Sequence, residues 1–478
     1  MRYPTGYFCF VCVWVLIGGH CYLSSCSLIG WICYFILGFF FFKLSKVRVA
    51  SWPFLSCFIL SLFVLYRLIS SCLSIPQKGC FLRGQLQFQK LFHTQKNNVG
   101  GLCYLTLKSG ETIPLYLHIF SKSEAIDAET AYVFSGYVKP LRNPFKSSQN
   151  FSFYLWARHI RYHVTSAHLQ PLESASLSFL QKVRKKLSEA LVLKKEDCSR
   201  VFRAILLGKK EDVSKEQLQH FLYTGTMHLF AVSGLHVGVV SAFVFFLCRL
   251  FCFPIWLRWI ITSSGVVSYA LIVGLSPSTL RAAWMALFLL TAQLLNRPMD
   301  VRIAFFNTIS LSLCLNPFEL WDVGFQLSYG VVASILFIGI PFSQWHAKKM
   351  FYVSSWRLTC IISFWASLMS CVFSIYYWNL LSPWAFFSNL FLIPFASLIV
   401  ILGVITWCLY CICPLFMPCI QWISEIMVTL LLKSVAFLEK MPGTALTCTM
   451  ASYTFYFLMF CFMLWLAIST RSVHYEEH

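Results

Sequence analysis

Charge is what this chain has least of. Asp, Glu, Lys and Arg make up 12% of its 478 residues, and only 18 are acidic against 38 basic. Residues 3–42 hold no charged side chain, and neither do residues 358–424. With 58% apolar residues and a positive mean hydropathy, this excludes an ordinary soluble domain. Phosphate-cradling loops are missing too: Gly208-Lys209-Lys210 lacks the first glycine and the hydroxyl residue of that motif. Any driving force must come from a partner or the membrane gradient. Zinc-type spacing is absent from the 21 cysteines. Cys9, Cys33, Cys314, Cys371 and Cys461 lie in apolar runs, where a thiol behaves as a small hydrophobe. Cys408, Cys411 and Cys413 cluster without charged or histidine neighbours. No metal, cofactor or catalytic residue is expected.

What the chain has in excess is apolar surface, including 47 Phe and an aromatic share of 18%. That composition is expected of a polytopic membrane protein, with Trp and Tyr near the headgroups. Arg2 followed by an apolar run from Tyr7 resembles a secretion signal but reads as a retained span. Residues 3–42 are long enough for two crossings of roughly 20 residues each, and a third fits 52–73. Beyond Thr224 the expected spans are 226–248, 259–278, 280–296, 303–316, 323–341, 358–378, 384–404, 405–424, 426–440 and 450–470. The stretch 384–440 holds two or three of them, because Pro394, Pro414 and Pro418 interrupt it.

Between these blocks, residues 74–224 have the composition of a soluble domain. Strands are expected at 79–91, 101–108, 111–119, 130–139 and 162–170, with Ser109-Gly110 as a hairpin turn. Five short strands suggest a small barrel compatible with the OB-fold, although strand count alone does not choose it. Residues 175–193 set Leu177, Leu180, Val183, Leu187 and Leu191 on one helical face, with Lys182, Lys185 and Lys186 largely opposite. Such a helix either lies on a membrane surface or covers the barrel. Cys80 and Cys103 fall in neighbouring strands, where a disulfide can be drawn.

The positive-inside rule orients the spans. A cytoplasmic N-terminus puts the Lys43, Lys46 and Arg48 loop inside and residues 74–224 outside. Arg249 with Arg258, Arg297 with Arg302, and Lys348, Lys349 with Arg357 then fall inside by alternation, as does the tail 471–478. The net charge of +20 is shared by the soluble domain, which does not contradict this, since long domains translocate regardless of charge.

This alternation gathers His228, Ser276, Ser278, Arg281, Asn316, Glu319, Asp322, Gln326, Asn379 and Asn389 near the outer ends of their spans, as one polar mouth beneath the basic domain. Met227 to Gly238 is the most informative segment: it sets His228, Ser233, His236 and the pair Gly234 and Gly238 at the start of an apolar span. Buried imidazoles in membranes usually face a protein-lined or wet interior. Each residue also has a structural reading. Arg281 and Asp322 can pair with each other; Gly234 and Gly238 can permit close helix packing; Pro277 and Pro394 can break or kink spans. His228 and His236 can point the same way, but zinc would need further ligands.

Several passages resemble motifs of the ComEC family of competence proteins, inner-membrane channels for DNA uptake. They are Leu206-Leu207-Gly208, Gly225-Thr226-Met227-His228 with Ser233-Gly234-Leu235-His236, Gly274-Leu275-Ser276-Pro277-Ser278 with Arg281-Ala282, Asn316-Pro317 through Asp322 to Ser328, and Asn389 with Pro394. Arg142-Asn143-Pro144-Phe145, Phe153-Tyr154-Leu155 and His159-Ile160 look like the family's OB-like domain, with His159 in the place of a glycine. The resemblance implies a polytopic α-helical membrane protein with an inserted small OB-like β-barrel outside the cytoplasm. Its parts would be N-terminal spans (1–73), the barrel (74–172), an amphipathic helical linker (173–224), a competence-type membrane domain (225–470) and a short tail. The His-x-His-x-Asp-His pattern of a metallo-β-lactamase-like domain, carried by many members, is not found, so no nuclease activity is expected.

The function implied is non-enzymatic passage of single-stranded DNA through the inner membrane, with an outer DNA receptor, a cytoplasmic helicase-like motor, the lipid bilayer and a possible homo-oligomer as partners. His228, Ser233, His236, Ser276, Ser278, Arg281, Asn316, Asp322, Gln326 and Asn389 would line the channel. Phe151, Phe153, Tyr154 and Trp156 either stack bases, pack a core or contact the membrane. A secondary transporter or permease for a smaller anionic solute would use the same broken helices and polar mouth. A third reading is a degenerate relative that keeps the fold without transport.

Overall fold

The computed structural model describes residues 79–95, 98–107, 109–119, 131–141, 150–156, 158–171, 179–297, 300–349, 355–449 and positions 454 and 458. The expected spans at 1–73 and 450–470, the Arg142–Phe145 passage and the tail lie outside the described residues. The chain divides into two units, one of residues 1–178 with 309–322, the other of 179–308 with 323–478.

In the first unit, strands β1 (Cys80–Gln95), β2 (Asn98–Leu107), β3 (Thr112–Ile119), β4 (Ala131–Pro140) and β5 (Tyr162–Pro171) close a barrel in the order β1-β2-β3-β5-β4. All pairings are antiparallel except β3 with β5. Alternation explains the closure: Leu86, Phe88, Cys103, Leu105, Leu115, Leu117, Tyr132 and Phe134 all point inward from every second position. Register shifts between Phe88 and Lys90 and between Leu91 and His93 let the long β1 curve around the barrel. The ladder runs on to Gln95 and Asn98, further than periodicity alone indicates.

The drawn disulfide does not form. Cys103 faces the interior opposite Phe88, Cys80 lies at the exposed start of β1, and both thiols are free. Burial pushes the Cys103 thiol well above its ordinary value.

A short helix, α1 (Asn150–Trp156), joins β4 to β5. Its Leu155 packs with Leu102 and Ile160, and Trp156 is fully buried. His159 ends the turn at φ 59°, while the Ile160 amide bonds back to the Leu155 carbonyl. A left-handed backbone here gives a physical reason for a glycine at this place in the resembling motif.

The second unit is helical. Helices α2 (Phe179–Ala190), α3 (Glu196–Leu207) and α4 (Lys215–Tyr223) precede α5 (Gly234–Leu250), α6 (Ile255–Val273), α7 (Pro277–Leu294) and α8 (Val301–Leu315). Then come α9 (Val323–Ser334), a π-helical turn (Ile335–Gly339), α10 (Ile340–Lys349), α11 (Ser355–Trp378), α12 (Ala385–Ile412) and α13 (Met417–Glu439). Five of the described helical segments are long and apolar enough to cross a membrane. The basic face of α2 is exposed as expected, but Leu187 and Leu191 join a core with Phe202, Leu206 and Val400. Residues 179–224 are thus part of the helical core rather than a linker, because amphipathic α3 buries its apolar face: Val201, Phe202, Ala204, Ile205, Leu206 and Leu207 are all buried.

Two expectations about the helices change. Pro394 lies inside α12 without ending it, whereas Pro414 and Pro418 mark the turn into α13, so 384–440 holds two helices rather than three. A side chain at Gly238 would face open space, while one at Gly234 would make ordinary contact with Ala282 of α7 at 3.5 Å. The close approach is at Gly403 instead, where a Cβ would overlap the Leu206 side chain. Tyr269, near the C-terminal end of α6, packs on Trp407, near that of α12, at 6.3 Å.

Candidate functional site

The motif turns border the helices that fall outside the set of five. α5 and α8 have only 17 and 15 residues, about 25 and 22 Å at ~1.5 Å per residue, short of a hydrocarbon core of about 30 Å. Chain without regular helix completes them: a 3-10 turn (Met227–Phe230) before α5 and another (Pro317–Trp321) after α8. Such backbone is tolerated at membrane depth where protein or a wet cavity surrounds it.

Within the helical unit, these turns are held by polar side chains on main-chain atoms. Ser233 caps α5: its backbone N–H donates to His236 Nδ1 at 3.2 Å, and its hydroxyl lies 3.1 Å from the same nitrogen. Ser-Gly-Leu-His thus forms a capping box in which histidine takes the place usual for Glu or Gln, leaving the imidazole proton on Nε2. His236 is fully buried. His228 Nδ1 lies 3.3 Å from the Gly225 carbonyl, on a separate 3-10 turn, so the two histidines do not share one continuous helix. Among the described residues, no group of three or more His, Cys, Asp or Glu is placed to hold a metal.

Pro277 is a true break. Gly274 and Leu275 both have positive φ, Ser276 caps α7 by accepting from the Thr279 amide, and Pro277 stands in the first helical turn. Ser278 Oγ then donates to the Val232 carbonyl at 2.8 Å, joining the start of α7 to the turn before α5. One turn on, buried Arg281 donates to the Gly324 carbonyl at 2.9 Å and faces the rings of Phe325 and Tyr329 at 5.6 and 5.5 Å. Gln326 accepts from Tyr377 at 2.6 Å. The ends of α5, α7, α9 and α11 are therefore linked through His236, Ser233, Ser278, Arg281 and Gln326.

Asn389 is not at that level. Its Nδ2 donates to Ser367 at the middle of α11, ten residues and about 15 Å along the helix from Tyr377. Asn379 has φ 53° and its carbonyl accepts from the Cys448 amide, where Leu380–Leu381 pairs with Leu446–Thr447.

In the barrel unit, Asn316 Oδ1 accepts from the Phe318 amide and starts the turn, with Glu319 in its middle. Asp322 ends it, buried, with Oδ2 2.9 Å from Arg158 Nη1. The same guanidinium lies 3.5 Å over the Tyr154 ring. Trp156 meets Phe318 at 5.1 Å, and Arg161 stacks over both at 4.1 and 5.3 Å. Sequence reasoning named Asp322 but missed Arg158 and Arg161; the signal was their position beside the His159-Ile160 passage. Of the aromatics proposed to stack bases, Trp156 is core and Phe151 is 43% exposed. Phe151 leads a row: it lies 5.6 Å from Tyr154 and 5.2 Å from Tyr116, which stacks on His118 at 6.3 Å. Burial pushes the phenols of Tyr116 and Tyr154 up, and for Tyr154 Arg158 pulls the other way. The side chain of Phe153 lies outside the described residues.

Fold and site together define a multi-pass α-helical membrane protein whose chain carries an OB-like barrel. A family model described as Competence protein matches residues 205–472, and the chain belongs to that family. ComE operon protein 3 of Bacillus subtilis (strain 168) is 26% identical over 259 residues, 54% of this chain and 32% of that protein. Recombination protein 2 of Haemophilus influenzae is 26% identical over 211 residues, 41% of this chain and 27% of the relative. Competence protein ComA of Neisseria gonorrhoeae is 27% identical over 144 residues, 28% and 21% of the two chains. The chain spans about a third or less of the length of these relatives. No solved structure matches it.

Proposed function

We propose that this protein conducts single-stranded DNA across the inner membrane during natural transformation, without catalysing a reaction. One observation carries the reading beyond family membership: the aromatic row His118, Tyr116, Phe151 and Tyr154 on an OB-like barrel ends at Arg158, which grips the motif residue Asp322. A strand brings about one negative charge per nucleotide and a stackable face per base, which cations and half-exposed rings on a barrel suit. The linked helix ends around Arg281 supply polar groups for a charged passenger, so His228, Ser233, His236, Ser276, Ser278, Arg281, Gln326 and, deeper, Asn389 are the lining set, with Asn316 and Asp322 at the barrel.

In this reading the N-terminus is cytoplasmic and the barrel lies outside, with the Arg249, Arg258, Arg297 and Arg302 loops inside. A separate outer receptor delivers DNA and a cytoplasmic helicase-like motor draws it in.

The test is uptake of labelled DNA into a protected cytoplasmic pool by a deletion strain complemented with the wild-type chain, Arg281→Ala or Asp322→Ala, each matched for membrane abundance. Loss of uptake in the deletion and a drop of about tenfold or more in the variants support the conduit. Unchanged uptake in the deletion ends it and leaves a permease for a smaller anion.

A further inference from the structure

The barrel carries an aromatic and cationic patch that none of the motifs covers. Phe81 and Tyr137 are direct cross-strand partners on β1 and β4, and they are 67% and 44% exposed. Two residues on along each strand, on the same outward face, stand Arg83 and Lys139, both exposed. Large exposed apolar side chains beside cations mark an interaction surface.

Two placements say what covers it. The apolar run 52–73 ends a few residues before Phe81, within about 30 Å of fully extended chain. The turn between α8 and α9, both membrane helices by sequence, docks at the same end of the barrel: Phe318 meets Trp156 and Asp322 meets Arg158, just ahead of β5, whose first residue pairs with Pro140 of β4. By sequence, the chain at this end of the barrel thus leads into apolar segments twice. We propose that the start of β1 and the end of β4 form a membrane-docking foot, with Phe81 and Tyr137 seated among phospholipid headgroups and Arg83 and Lys139 meeting lipid phosphates. Rings at headgroup level and cations snorkelling to phosphate are the chemistry that such an interface rewards. The foot would hold the barrel in one orientation over the membrane, and its Lys139 stands across His163 of β5 from Tyr116 of the aromatic row.

The test uses the full chain, cysteine-depleted and reconstituted in vesicles of phosphatidylcholine with phosphatidylglycerol. A single environment-sensitive fluorophore is placed at position 81, 137 or 170, so that each foot label leaves the other aromatic intact, and Gln170, exposed on β5, is the control. Nitroxide lipids labelled near the headgroup should quench positions 81 and 137 at least about twofold more than position 170. Arg83→Glu with Lys139→Glu should reduce that excess. Equal quenching at all three positions overturns the foot. So does a response at 81 and 137 to added single-stranded oligonucleotide but not to nitroxide lipid, which would make the patch a nucleic-acid surface.

Discussion

Arg158 and Asp322 stand 164 positions apart and meet at 2.9 Å, with the Asp322 side chain 4% exposed. Within the barrel unit, the ion pair fixes the 316–322 turn to the segment between α1 and β5. Breaking a fully buried pair costs about 3–5 kcal/mol, and the partial exposure of Arg158 brings the expectation to about 2 kcal/mol. Arg158→Ala and Asp322→Ala should each raise protease sensitivity of the 316–322 turn in native membranes. The charge swap Arg158→Asp with Asp322→Arg should recover part of it. A swap no better than either single variant would show that Asp322 acts mainly through other groups.

The Ser233–His236 cap separates geometry from imidazole chemistry. Gln can occupy the third position of a capping box, so His236→Gln should keep near wild-type membrane abundance, while His236→Ala should lose about 1 kcal/mol of stability. Thermal unfolding in detergent reads this directly. DNA uptake by an abundant His236→Gln protein then tells whether the ring does more than cap.

Two glycines should behave oppositely. At Gly403 a methyl group would overlap Leu206, so Gly403→Ala should cost about 1–3 kcal/mol. Gly238 has open space on a helix, and Gly238→Ala should be neutral or stabilise by up to about 1 kcal/mol. Midpoints of thermal unfolding that fall equally for both would contradict this packing.

His163 gives the barrel a pH dependence. Burial, then nearby Lys139, hold its imidazole below the ordinary value, with a backbone hydrogen bond at Lys139 offsetting part of the shift. The folded state therefore prefers the neutral ring. Its stabilising contribution is complete above the unfolded value of about 6.5 and is lost as pH falls below it toward the folded value. Exchange of β4 and β5 amides should accelerate as pH drops from 7.5 to 5.5, after correction for intrinsic rates. In His163→Asn that extra acceleration should be smaller.

Much of the barrel was legible because a strand's period of two shows directly in sequence, and Ser109-Gly110 punctuates the second and third strands. Residue type and motif order also located Ser233, Ser276, Pro277 and Arg281 at helix ends. Bilayer helices gave less. Where every face is apolar, periodicity cannot tell a tightly packed Gly403 from an open Gly238, nor an uninterrupted Pro394 from a breaking Pro277. Asn389 was set at the outer ends by counting spans, and its bond to Ser367 puts it deeper.

By itself the sequence determined that this chain lives in a membrane, since so little charge and so much apolar surface leave no soluble fold, and that one segment forms a small barrel. Which polar groups meet was decided only by tertiary structure: Asp322 with Arg158, Arg281 with the Gly324 carbonyl, Ser278 with the Val232 carbonyl. The reason is physical. Burial free energy follows composition and can be read along the chain, whereas a hydrogen bond or ion pair depends on distances of a few ångströms between residues that the chain order leaves far apart.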